Sequence, residues 1–285
     1  MYYLFFILII FIKNSFAFDF DVNLARKKIR NTEGVFVTYK NHLGEGDGQF
    51  DSMPRYNPEN VNCTTWWQQI LAETYAGENS EAIISILDSI RYFDGVISFG
   101  TRKHFLDQVF IDDSNPFENI ENKMGMNCQG DLNHDFNIEF EKFKKSAKYN
   151  CPLIYENFPQ ITFTYLSPEK AISCMRTLPD GIYLAFPVAG NRYNAIWGKK
   201  SGPMGRVHGL FVDKQNGQSQ VFHASIDRGK VANEPFEQYI LSAGSGLFKG
   251  YSIFTISAKY FPTKGEISSK GKEIINCEKL HHAKK

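Results

Sequence analysis

Apolar residues recur at helical spacing through the first half of the chain and alternate with polar ones in the second. Trp66, Ile70, Leu71 and Tyr75 follow the helical period, and Gly77 ends it. This predicts a helix opening at Cys63. Asn62 is placed to cap it, because its side-chain oxygen can accept a first-turn N–H. Residues 18–31 are charged and weakly helical, 32–40 extended, and 41–60, rich in Gly, Asp, Asn and Pro, a loop. Ser80 and Glu81 are placed to cap a second helix, with Ile83, Ile84, Ile86, Leu87 and Ile90 as its apolar set and an end near Tyr92. Asp94-Gly95 turns the chain, and a short helical stretch is expected at 104–110. Residues 112–133 are polar and aperiodic, the pattern of a surface excursion. Phe136, Phe140 and Phe143 are spaced for one helix face. Ser167-Pro168-Glu169 starts another helix, which runs to about Arg176.

Beyond residue 180 the pattern changes. Residues 181–186, 207–212, 220–225 and 251–256 read as strands, and Asn216-Gly217 between the second and third is a hairpin signal. Residues 234–241 read as a short helix stopped by Gly244. Helices first and hairpin-linked strands afterwards imply an α+β fold with an antiparallel sheet.

Composition changes this picture little. The 285 residues are 42% hydrophobic with a formal net charge of +1, enough for a sizeable core. The near-neutral balance argues against a nucleic-acid partner, since phosphate binding needs a basic surface. At the N-terminus an apolar run, then Lys13 and the small residues Ser15 and Ala17, reads as a secretory signal peptide over 1–17. That leaves 18–285 as one exported domain, periplasmic or secreted. Export permits disulfides. The cysteines are Cys63, Cys128, Cys151, Cys174 and Cys277; their odd number leaves a free thiol, for which Cys63 is the natural choice. The other four allow three pairings.

Cys63 at a helix start is where N–H groups and the aligned peptide dipoles favour a thiolate nucleophile. Such a nucleophile needs a base. Of seven histidines, His208 and His223 fall on the two strands of the predicted hairpin, near enough on one face to bond or share a partner. No Cys-x-x-Cys is present and the histidines lack the spacing of a helical zinc motif, so nothing calls for a metal.

Cys63-Thr64-Thr65, Ile90-Arg91-Tyr92-Phe93-Asp94-Gly95, Arg102-Lys103-His104-Phe105, His208-Gly209 and His223-Ala224-Ser225 occur in that order. This series resembles the NlpC-type cell-wall peptidases, a papain-like superfamily, and within it the N-acetylmuramoyl-L-alanine amidase-like family. That family carries a Cys-Thr-Phe type motif, I-R-Y-x-D-G and R-x-H-[YF]. It places Asp before the cysteine, where this chain has Asn62, and reads His-x-Gly where Gly209 directly follows His208. Residues 112–160 have no counterpart in its pattern.

The resemblance implies a papain-like domain that hydrolyses the amide between N-acetylmuramic acid and L-alanine in peptidoglycan fragments. Cys63 would be the nucleophile, His208 the base and His223 the orienting third residue, with no cofactor. Arg102 and His104 would bind substrate. Of Trp66 and Trp67, one would enter the core and one line a sugar-stacking cleft. Two alternatives remain open: an endopeptidase cutting between D-glutamate and the diamino acid, and a binding protein on a catalytically degenerate version of the fold. The oligomeric state is not readable.

Overall fold

The computed structural model describes residues 18–38, 54–98, 101–103, 106–110, 115–120, 128–136, 161–190, 205–243 and 246–260, with 272, 273 and 276. The expected signal peptide, His42, His104, Cys151, Cys277, His281 and His282 lie outside them. The helices are α1 (Val22–Asn31), α2 (Cys63–Ala76), α3 (Ser80–Arg91), α4 (Leu106–Val109), α5 (Pro168–Thr177) and α6 (Phe236–Ser242). The strands are β1 (Phe18–Asp19), β2 (Phe117–Asn119), β3 (Leu132–Phe136), β4 (Ile161–Tyr165), β5 (Gly181–Ala189), β6 (Leu210–Gln215), β7 (Gln218–Ser225), β8 (Lys230–Pro235), β9 (Phe248–Ile256) and β10 (Lys259–Tyr260). Six of them form one antiparallel sheet in the order β2-β9-β5-β6-β7-β8. The fold is α+β, as the segregation of patterns implies.

The sheet is buried on both faces. On one, Ile182, Leu184, Phe186, Phe211, Phe222 and Phe254 pack with the apolar faces of α1, α2 and α3. On the other, Tyr183, Ala185, Leu210, Val212, Val221 and Ile253 pack with α5 and α6. A strand covered on both sides loses its polar alternation, which is why β5 is apolar almost throughout.

β6 holds the two layers to the sheet with adjacent charges. Asp213 accepts from Arg26 Nε at 2.9 Å and Arg30 Nη2 at 3.0 Å, both on α1. The next residue, Lys214, points the other way. Its Nζ donates to the carbonyls of Met175, Arg176 and Leu178 at 2.7, 2.8 and 2.5 Å, at the C-terminal end of α5. Those carbonyls have no intrahelical donor, and a cation suits the negative end of the helix. β6 turns into β7 through Asn216 and Gly217, at φ 51° and 77°. This is the left-handed pair that a two-residue hairpin demands.

Sequence and structure part company at several places. The excursion at 112–133 is not all surface. β2 pairs with β9 at the edge of the main sheet, and Phe117 and Ile120 are buried. Cys128 is buried too and is bonded to Cys174 on α5. The bond spans 46 residues of sequence, a loop closure worth ~4 kcal/mol in the chain-entropy model. Phe136 ends β3 rather than opening a helix, because residues 132–136 pair antiparallel with β4. β8 has no counterpart among the expected strands. α3 is capped by Asn79, not Ser80: the Asn79 Oδ1 accepts from Ala82 N–H.

Candidate functional site

α2 begins where it does because Asn62 is extended and closes a capping box. Its Oδ1 accepts the N–H groups of Thr64 and Thr65, each at 2.8 Å, and Thr65 Oγ1 accepts the Asn62 N–H at 3.0 Å. Asn62 thus supplies the cap without a carboxylate. Cys63 is the first helical residue, with a free and partly buried thiol. Among the described residues its hydrogen-bond contact is Thr64 Oγ1, at 3.9 Å.

Burial pushes the Cys63 thiol above its ordinary value of 9.0. The Thr64 hydroxyl and the N–H groups of Cys63 and Thr64 pull the other way but are outweighed. An easily ionised thiol was the expectation from the helix start, and desolvation reverses it. With the folded value raised, the thiol stays protonated through neutral pH. Iodoacetamide alkylation of Cys63, taken as the difference between the wild type and Cys63→Ala, is therefore expected to be slow at pH 7 and to climb only above pH 9. A rate that levels off below pH 8 would contradict this.

His208 precedes β6 instead of lying within the strand, in an extended segment held from three sides. Ala189 N–H donates to Gly205 O, and Val207 N–H to Pro187 O. Asp107 of α4 accepts the Arg206 N–H on Oδ2 and the guanidinium on Oδ1, both at 3.0 Å. The Arg206 guanidinium also lies over the Phe163 ring, 3.7 Å from its centroid. The third hold is on Gly209, where a Cβ would lie 2.2 Å from Trp67 Cδ1. Trp67 is four residues after Cys63, on the same helix face and about 6 Å further along the axis. The backbone beside His208 therefore crosses α2 one turn below the thiol.

His208 Nε2 and His223 Nδ1 stand 3.2 Å apart, with their rings nearly perpendicular. The two imidazoles meet as the predicted hairpin brings them together, although only His223 lies within a strand. His223 also packs against the Tyr239 ring of α6. Its Nε2 reaches Glu234 Oε1 at 3.3 Å, and Arg228 Nη2 donates to the same oxygen at 2.8 Å. Glu234 and Arg228 have no signal in the linear pattern, since β8 itself is not predicted. Burial and, secondarily, the neighbouring His223 lower His208 to about 3. Burial lowers His223 too, against the opposing pull of Glu234. Both imidazoles are neutral at pH 7. No hydrogen bond joins the thiol to either of them among the described residues.

The remaining expected site residues divide differently. Trp66 and Trp67 are both core, at 1% and 0% exposure, so neither stacks on a sugar. Trp66 Nε1 donates to Thr32 Oγ1 and its ring meets Phe211 edge-on. Trp67 is boxed by Phe117 and Phe186. Arg102 is buried as well, bridged to Tyr92 with its guanidinium 5.9 Å from that ring's centroid, which leaves little of it open to a ligand. His104 lies outside the described residues. Among the described residues there is no cluster of side chains able to hold a metal, and no helix long and apolar enough to cross a membrane.

The model of a family described as N-acetylmuramoyl-L-alanine amidase-like matches residues 37–246. Among solved structures, an N-acetylmuramoyl-L-alanine amidase from Bacteroides uniformis superposes with a TM-score of 0.60 at 17% identity, covering 82% of this chain and 98% of that one. A Bacteroides fragilis protein described provisionally as a xylanase gives 0.60 at 17%, covering 81% and 99%. A Legionella pneumophila protein assigned to a domain family of unknown function, DUF1460, gives 0.66 at 16%, covering 85% and 91%. At these identities the likeness is one of fold. No curated protein matches the sequence.

Proposed function

We propose, from the premise that this chain belongs to the N-acetylmuramoyl-L-alanine amidase-like family, that it is an exported cysteine hydrolase. Its substrate is the amide between N-acetylmuramic acid and L-alanine in peptidoglycan fragments. The observation that carries the reading is the 3.2 Å contact between His208 and His223 beside the backbone that crosses α2 below Cys63. A thiol at a helix start, a histidine ahead of a strand and a polar partner on the next strand is the arrangement of papain-like enzymes. The apolar N-terminus followed by Ser15 and Ala17 supports export, as does a disulfide between Cys128 and Cys174.

Both partners start neutral, so the proton moves during attack and not before it. His208 takes the Cys63 proton as sulfur bonds to the lactyl carbonyl carbon. Such contacts are often long in a free enzyme and tighten on substrate. The oxyanion needs a donor. Asn62 engages the Thr64 and Thr65 N–H groups, which leaves the Cys63 N–H of the first turn for that task. Protonated His208 then gives its proton to the alanine nitrogen, and the amide C–N bond breaks. Water, deprotonated by His208, hydrolyses the thioester and restores the thiol.

The test is product identity. Incubation with N-acetylmuramoyl-L-alanyl-γ-D-glutamyl-diaminopimelate is expected to release N-acetylmuramic acid and the intact tripeptide, read by mass spectrometry. Cleavage after D-glutamate would convert the reading to an endopeptidase. No cleavage of any muropeptide would favour a binding protein.

A further inference from the structure

We propose that Glu234 is a positioning residue that fixes the tautomers of His223 and His208 and thereby makes Nδ1 of His208 the basic nitrogen. The inference rests on the cysteine-hydrolase reading above and names the atom at which its proton moves.

The strand register brings Glu234 to His223. His223 on β7 pairs with Ala232 on β8, and Glu234 is two residues further along β8, on the same face. Its side chain is 9% exposed and turns its Oε1 to His223 Nε2. A carboxylate accepts hydrogen bonds and gives none, so this contact requires the proton of His223 to sit on Nε2. The imidazole is neutral, which leaves Nδ1 with a lone pair. Nδ1 is the atom that faces His208, so it accepts, and the proton between the rings belongs to His208 Nε2. The lone pair of His208 is then on Nδ1, the nitrogen turned away from His223. Each link follows from the one before, and the first is Glu234.

The opposite arrangement is self-defeating. A His223 protonated on Nδ1 would set a lone pair against the carboxylate. It would also force His208 to accept on Nε2 and carry its proton on Nδ1, where it could take no other. Arg228 Nη2 donates to the same Oε1 at 2.8 Å and holds that oxygen toward the ring. The arginine side chain is 45% exposed, so its role is to orient the carboxylate more than to add binding strength.

The experiment separates this role from a merely structural one by reading the tautomers directly. Ring-nitrogen NMR of the wild type without substrate, at pH 7, is expected to show both His208 and His223 protonated on Nε2. Glu234→Met removes the acceptor and should give mixed tautomers at both rings. The same change should lower kcat about 10–100-fold, by analogy with the loss of a carboxylate that orients a metal-bound histidine, with KM within about twofold. Glu234→Gln keeps an oxygen for both donors and should retain the tautomers and most of the turnover. Glu234→Ala stands in if the Met variant does not fold. Unchanged tautomers in Glu234→Met overturn the proposal, whatever happens to activity. A wild type inert on every muropeptide, whose tautomers still scramble in Glu234→Met, would sustain the tautomer assignment and sink the hydrolase reading instead.

Discussion

Cys63→Ala is expected to lower kcat on a muramoyl-L-alanyl peptide by about 10⁵–10⁶-fold, His208→Ala by nearly as much, and the double variant no further. The magnitudes follow from the proposed roles. Without the thiol no thioester forms. Without His208 the thiol keeps its proton, because burial already disfavours the thiolate and no helix-end effect makes up the difference. Two residues acting on one proton transfer lose the same step, so their losses do not add. Multiplicative losses would show that they serve separate steps. His223→Ala should cost less, since it leaves the base present and only its orientation free. The predictions are read as single-turnover rates at pH 7 on folded variants, with thermal unfolding as the control. Activity within tenfold of wild type in Cys63→Ala would end the cysteine mechanism outright.

How much of this was readable beforehand depends on whether the signal was local. The cap at Asn62, the stop at Gly77 and the Asn216-Gly217 turn are properties of two to four adjacent residues, and each is where the sequence puts it. His208 and His223 meet because a hairpin with a two-residue turn fixes its register, and register was implied by the same dipeptide. The failures are non-local. β2 is three residues long in a polar segment and exists because β9 offers it an edge, so nothing in its own sequence demands a strand. β8 carries Lys230, Asn233, Glu234 and Pro235, a poor strand former, and is held by pairing with β7. Missing it meant missing Glu234. The thiol's ionisation escapes the sequence for the same reason: the helix start is visible there, whereas the burial that outweighs it is a property of the folded chain. The sequence suggests one tryptophan in the core and one in a cleft, but α2 is covered along nearly its whole length.

Gly209→Ala is expected to destabilise the fold by about 3 kcal/mol, at the upper end of what overpacking costs, and to reduce turnover well over tenfold. The position is demanding in space, not in backbone conformation, since Gly209 is not among the residues at positive φ. A methyl there would lie 2.2 Å from Trp67 Cδ1 and 2.6 Å from Nε1, where no Cβ fits. The ring cannot retreat, because Phe117 and Phe186 close on it at centroid distances of 5.7 and 5.6 Å. The extended segment ahead of β6 must move instead, and His208 is the residue directly before Gly209. A displacement near 1 Å at a catalytic group can cost about 10²-fold in rate. A glycine is needed directly after His208 because α2 presses on the segment there. A double-mutant cycle tests the cause. In a Trp67→Leu background the ring is gone, and Gly209→Ala should cost less than 1 kcal/mol by urea unfolding, a coupling of about 2 kcal/mol. An equal cost in both backgrounds would show that Gly209 is kept for some reason other than Trp67.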